Sequence, residues 1–146
     1  MRKVFKYRKC IRLHSAGSIN WTVDTFKMLL VDTNYIFDPR AHEFVAGVSG
    51  NEIAHASYAR QTLAGLTFAD HNDGTLWDAN DVVFATLAAA AGNLGGFIIY
   101  KFITNDASSP LVCWGEMDPV GVPNDNNLTV QLTSGIYVDT GSGWPA

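Results

Sequence analysis

The pair His42-Glu43 has the opening spacing of a zinc-protease helix, H-E-x-x-H, in which two histidines one helical turn apart hold the metal and the glutamate acts as base. Ala46 stands where the second histidine would be, so the pair is expected to serve local backbone groups near a helix start. Asp70, Asn72, Asp73 and Gly74 look like part of a calcium loop, with Asp78 and Asp81 close behind. The glycine falls one place early and no bidentate glutamate closes the frame, so a polar turn is expected. Cys10 and Cys113 are far apart and have no companion at metal-ligand spacing, which predicts two free thiols rather than a zinc site or a disulfide. No nucleophile, base and orienting group occur at a recognisable spacing. The sequence therefore predicts a non-enzymatic protein, with no catalytic residues, metal or cofactor.

Asn20-Trp21-Thr22 and Asn127-Leu128-Thr129 have the spacing of glycosylation acceptors. The N-terminal MRKVFKYRKC starts positive, but charges interrupt the place where an export signal would have its continuous apolar core, so both sequons are expected to be coincidental. Trp21, Trp77 and Trp114 are expected in the core or a subunit contact and Trp144 at the surface. A sugar-stacking platform of exposed aromatics is the alternative.

The elements that must position these residues read as strands. Residues 25–32, TFKMLLVD, place Phe26, Met28 and Leu30 on one face and Lys27, Leu29 and Val31 on the other, which predicts a largely buried strand. Asp32-Thr33-Asn34 breaks it, and Asp38-Pro39 opens a turn into a short helical or irregular piece at residues 41–45. Residues 69–74 read as a hairpin turn between Phe68 and Leu76, and Val82-Val83-Phe84 begins a further strand. The alanine and glycine run at residues 86–96 reads as a strand end and a flexible loop. GFIIYKFI at residues 96–103 is the clearest strand, with LVCW at residues 111–114 as its antiparallel neighbour. Residues 118–127 read as a loop, and short strands are expected at residues 128–132 and 136–138.

Hydrophobic residues make up 47% of the 146-residue chain and charged residues 16%, which argues against disorder. No apolar run approaches the ~18 residues of a membrane-spanning helix. The formal net charge of −4 is unevenly spread: Arg2, Lys3, Lys6, Arg8, Lys9 and Arg12 supply six of the ten basic residues, and no acid precedes Asp24. From position 13 onward four basic and fourteen acidic residues remain, a body of formal charge −10 behind a +6 leader. The spacing of Tyr7, Cys10, Ile11 and His14, with Gly17 as C-terminal cap, predicts an amphipathic helix over residues 6–15 with its basic residues outward. That face is either simply solvated, laid along the acidic body, or a docking surface for an acidic partner. Nucleic acid is the least favoured partner, because no aromatic interleaving or glycine motif of a nucleic-acid module accompanies the charge.

The succession INWTVDTFKMLLVDTNY, AHEFVAGVSGNEI, DANDVVF and GFIIYKFITNDASSPLVCW resembles a family of small virion structural proteins of tailed bacteriophages. The likeness covers most of the chain: a short N-terminal helix, a Trp-containing turn, an apolar strand, a His-Glu-Phe segment and a closing strand pair with a Ser-Pro turn. Residues 88–96 are looser than the strand of that pattern, and the basic leader is more charged. The resemblance implies a virion component and brings no catalytic residues.

Together these readings predict a mainly β protein, an antiparallel β-sandwich or open barrel, with residues 1–16 as a basic arm and helix and residues 17–146 as the β domain. The expected function is that of a capsid decoration or cement protein on the virion surface, made in the host bacterial cytoplasm. Its expected partner is the major capsid protein, bound through Arg2, Lys3, Lys6, Arg8, Lys9 and Arg12, with self-association as a homo-oligomer, a trimer by preference. Neither a membrane nor nucleic acid is the expected partner. A tail or head–tail adaptor and a host-glycan-binding module are the alternatives. Deleting residues 1–12 is expected to weaken attachment while leaving the fold intact.

Overall fold

Apolar strands with no polar face organise the molecule. The computed structural model describes residues 4–71, 74–132 and 136–140. Strand β2, Phe26–Asp32, pairs antiparallel with β7, Leu94–Lys101, and β7 pairs on its other side with β8, Leu111–Gly121. Strands β1, Val4–Lys6, and β3, Gln61–Thr62, form the edges, giving the order β1-β8-β7-β2-β3.

An antiparallel sheet commonly leaves one face to water and alternates polar with apolar residues. Here both faces are covered. Phe26, Met28, Leu30, Phe97, Ile99, Val112 and Cys113 face one core. Leu29, Val31, Ile98, Tyr100 and Leu111 face the other. Complete burial of a side chain of this size contributes ~1.5–3 kcal/mol, so β2 and β7 are anchored from two sides.

The first core is closed by helix α1, Arg8–Ser15, through Cys10, by Trp21, and by two smaller sheets. One has the order β10-β5-β4, from β4, Thr67–His71, β5, Gly74–Asp78, and β10, Ile136–Thr140; the other pairs β6, Val82–Leu87, with β9, Asn126–Val130. Trp77 on β5 is buried, and its indole N–H donates to the Trp21 carbonyl at 2.7 Å, which removes the penalty of an unpaired donor. The second core is closed by residues 33–60, which bring Tyr35, Val45 and Val48 over the sheet.

The predicted mainly β, antiparallel architecture with one short N-terminal helix is observed, and the described strands form no closed barrel. Gly17 caps α1 as predicted. Its φ of +71° suits glycine, and it lets Ser18 N–H reach the Leu13 carbonyl at 2.8 Å while Gly17 N–H bonds the His14 carbonyl at 3.0 Å. The 96–114 hairpin lies where predicted, joining β7 to β8, whereas Ala69 to His71 and Gly74, expected in a turn, are paired residues of β4 and β5; Asn72 and Asp73 fall outside the described residues.

Three further local expectations are corrected. The helix begins at Arg8 rather than residue 6, because Val4 to Lys6 pair with Gly115 to Cys113 of β8. The loop expected at residues 118–127 is shorter, since β8 runs on to Gly121. Pro119 falls between the Gly96↔Glu116 and Leu94↔Gly121 pairs, in a bulge where no ladder N–H is required of it. The alanine run is an ordered helical turn, Ala89–Ala91, with Ala89 N–H bonded to Asp125 Oδ1 at 3.0 Å.

Candidate interaction surface

The His42-Glu43 pair meets side chains rather than the local backbone groups expected of it, and Asn72 and Asp73 of the calcium-like run lie outside the described residues. His42 Nδ1 lies 3.0 Å from the Tyr35 hydroxyl, which in turn lies 2.7 Å from the buried Tyr7 hydroxyl. Burial raises the Tyr7 phenol well above its ordinary range and pushes Tyr35 up to about 12, so both remain neutral donors and acceptors. Glu43 pairs with Arg12. Asp78 Oδ1 accepts from Ala79 N–H at 2.8 Å and Asp81 Oδ1 from Leu132 N–H at 3.0 Å, so these two acids, close behind the calcium-like run, serve backbone donors. Among the described residues no three His, Cys, Asp or Glu side chains converge on a site for a metal ion. Cys10 and Cys113 are free and buried; burial pushes the Cys10 thiol up to about 12 and raises Cys113 further, so neither is a ready nucleophile.

The basic residues gather at one corner. Arg2 and Lys3 lie outside the described residues, as does Trp144. Lys6 sits in β1 opposite Cys113. Arg8, Lys9 and Arg12 follow on α1, with Arg8 and Arg12 exposed and Lys9 half-buried. The helix lies along residues 38–44. Arg8 N–H donates to the Pro39 carbonyl at 3.0 Å, the Lys9 ammonium stands 4.7 Å from the Phe44 ring centroid, and Arg12 Nη2 lies 3.1 Å from Glu43 Oε1. The last pair is solvent-exposed and worth only ~0–1 kcal/mol, so it orients more than it binds.

Arg40 joins the same corner, beside Pro39. Arg8, Lys9, Arg12 and Arg40 therefore share this corner with Asp38 and Glu43. The N–H groups of Ala41 and Arg40 hold the Asp38 carboxyl below the usual carboxylate range, each at 3.0 Å. The remaining cations of the described residues have partners: Lys27 stands 4.0 Å over the Phe102 ring, Lys101 is 2.9 Å from Asp24, and Arg60 lies between Glu52 and Asp106.

An aromatic ledge adjoins this corner, which sequence reasoning did not find. Phe5 and Phe37 both stack on Trp114, with ring centroids 5.8 Å and 5.4 Å away and planes 22° and 11° apart. Phe5 and Phe37 are 5.6 Å apart, and Tyr7 meets Phe37 edge-on at 5.0 Å. Phe5 is 41% exposed. The Trp114 indole nitrogen is buried with no partner among the described residues. It lies so close to Gly96 that a Cβ there would stand 2.7 Å from it, so glycine is what lets the ring lie flat on β7. The period-two spacing of Phe5 and Tyr7 was a signal for part of this ledge. Phe37 comes from the far side of a long excursion and had none.

Trp21 and Trp77 are buried, as the sequence predicted, and Trp114 is half-buried in the ledge. The chain matches no protein-family model, no curated protein and no solved structure.

Proposed function

We propose that the protein is a non-enzymatic virion structural protein, a capsid decoration or cement subunit that docks on the major capsid protein through its cationic N-terminal corner. The resemblance of the quoted segments to small tailed-phage proteins supplies the class. The observation that carries the mode of action is that Arg8, Lys9 and Arg12 are held on a helix packed against a two-sided β core, not on a loose tail. A preformed cationic surface costs little ordering entropy on docking, and many copies repeated by the symmetry of a shell give avidity without a tight single site. Self-association around a symmetry axis, as a trimer, belongs to the same reading.

The functional test is mechanical. Heads made without this protein are expected to release DNA at a lower temperature than complete heads, and adding the purified chain should restore the difference. Heads that rupture at the same temperature with and without the chain contradict the cement role.

A further inference from the structure

Strand β4 is an open sheet edge. It ends the order β10-β5-β4, and all of its residues, Thr67 to His71, are exposed. The other described edges are short or irregular. In the central sheet β1 has three residues and β3 two, and the part of β8 beyond β1 holds Pro119 in its bulge. The ladders of β10 with β5 and of β6 with β9 are each interrupted by a register shift, an irregularity that blunts an edge. β4 keeps unbroken register with β5 and carries no proline or lysine, the residues that commonly guard an edge. Which of its backbone groups are open follows from the closing pair. His71 and Gly74 are so near in sequence that their pair must be a hydrogen-bonded one, and by alternation so are Ala69 with Leu76 and Thr67 with Asp78. Phe68 and Asp70 therefore turn their N–H and C=O groups away from β5, and no described residue bonds to them. The Phe68 ring is itself seated, stacked on Trp21 with centroids 6.1 Å and planes 7° apart.

We infer that β4 is a self-association edge: two copies of the chain pair antiparallel through it about a twofold axis at Ala69, joining their three-stranded sheets into one continuous sheet. The strand fits itself in this register. Phe68 of each copy lies opposite Asp70 of the other, so every outward N–H meets an outward C=O. The two Ala69 residues form a non-hydrogen-bonded pair with Cβ atoms ~4.5–5.5 Å apart, close but free of bulk, and Thr67 lies opposite His71. Charge agrees with the same choice. Asp70 is the carboxylate of the edge, and here it faces an aromatic ring while the two Asp70 residues stand only diagonally, ~7–8 Å apart. An axis at Asp70 would oppose the two carboxylates, and an axis at Phe68 would set Asp70 against Leu66, outside the strand. The pairing goes beyond the capsid reading and does not depend on it, and the trimer proposed there needs another surface. An edge this short buries far less than the ~1,000 Å² of a stable interface, so the dimer is weak alone and gains force where copies are held side by side.

The test uses the purified full-length chain alone, in sedimentation equilibrium at high protein concentration, where the wild type is expected to form a concentration-dependent dimer. Ala69→Lys sets two ammonium groups opposite each other. Asp70→Pro removes an outward N–H from each copy and spares the β4–β5 ladder, which does not use it. Each is expected to weaken dimerisation about tenfold. Thiol trapping reads the register. Cys10 and Cys113 are buried, so Ala69→Cys supplies an accessible thiol and diamide should convert it to a disulfide-linked dimer. Val23→Cys, exposed but outside β4, should remain monomeric under the same treatment. Thr67→Cys and His71→Cys chains should cross-link when mixed and not when oxidised separately. A chain that stays monomeric, with Ala69→Cys trapped no faster than Val23→Cys, overturns the pairing. A dimer or trimer that neither Ala69→Lys nor Asp70→Pro weakens belongs to another surface and also overturns it. So does a monomer whose β4 takes up a strand of a different protein. No virion component enters the experiment, so none of these results bears on the capsid reading.

Discussion

At Arg60 one guanidinium answers two carboxylates. Nε and Nη2 each lie 2.7 Å from Glu52, and Nη1 and Nη2 lie 2.7 Å and 3.0 Å from Asp106. Tyr58 donates to the same Glu52 carboxylate at 2.6 Å while accepting from Leu30 N–H at 3.1 Å. The clasp ties the excursion over the second core to the β7–β8 connection. Arg60→Met leaves Glu52, whose side chain is only 13% exposed, without its cation, and is expected to lower the unfolding free energy by about 1–3 kcal/mol, read by urea denaturation. An unchanged midpoint contradicts the clasp. The pH dependence has a definite sign. Arg60 holds the Asp106 carboxyl below its ordinary value, so the stability from this pair is present above the unfolded carboxylate range, roughly pH 4, and is lost as pH falls through the depressed native value. The wild type should therefore lose more stability on acidification than Arg60→Met does.

Among the elements, β1 changes what the N-terminal segment can be. Tyr7 and Cys10 are buried and Val4 to Lys6 are a sheet edge, so the expectation that residues 1–12 could be removed without harm to the fold is corrected. Loss of Tyr7 alone opens a cavity of the kind that costs ~3–5 kcal/mol, and the truncated chain is expected to lose its cooperative melting transition. A truncated chain that melts like the full one would contradict the assignment of β1 and α1 to the core. Why β1 escaped sequence reading is physical: a three-residue strand has too few positions to show a period, and its pairing is decided by β8, more than a hundred residues away. The central strands were legible because FKMLLVD and GFIIYK are apolar on both faces and bounded by turn residues. Pro119 and its polar neighbours misled in the other direction, since a proline in a bulge looks, in sequence, like a loop. The basic members of the candidate surface were legible from charge alone. Its apolar half was not, because Phe5, Phe37 and Trp114 meet only through tertiary packing.

For the molecule as a whole, the uneven charge is organised in space as well as in sequence. The β body carries the acids, its cations Arg60 and Lys101 are paired with carboxylates, and α1 is pinned to one corner by Pro39, Phe44 and Glu43. On the proposed reading, a cationic corner fixed to a folded body serves repeated attachment to an ordered array of acidic sites. Decoration of a shell also requires abundance, which separates it from a tail or head–tail adaptor. The most direct measurement is therefore the copy number of this chain relative to the major capsid protein in purified virions, by mass spectrometry against labelled peptides. A decoration subunit is expected at one copy per capsid subunit or per few subunits. A handful of copies per particle, or none, would contradict it.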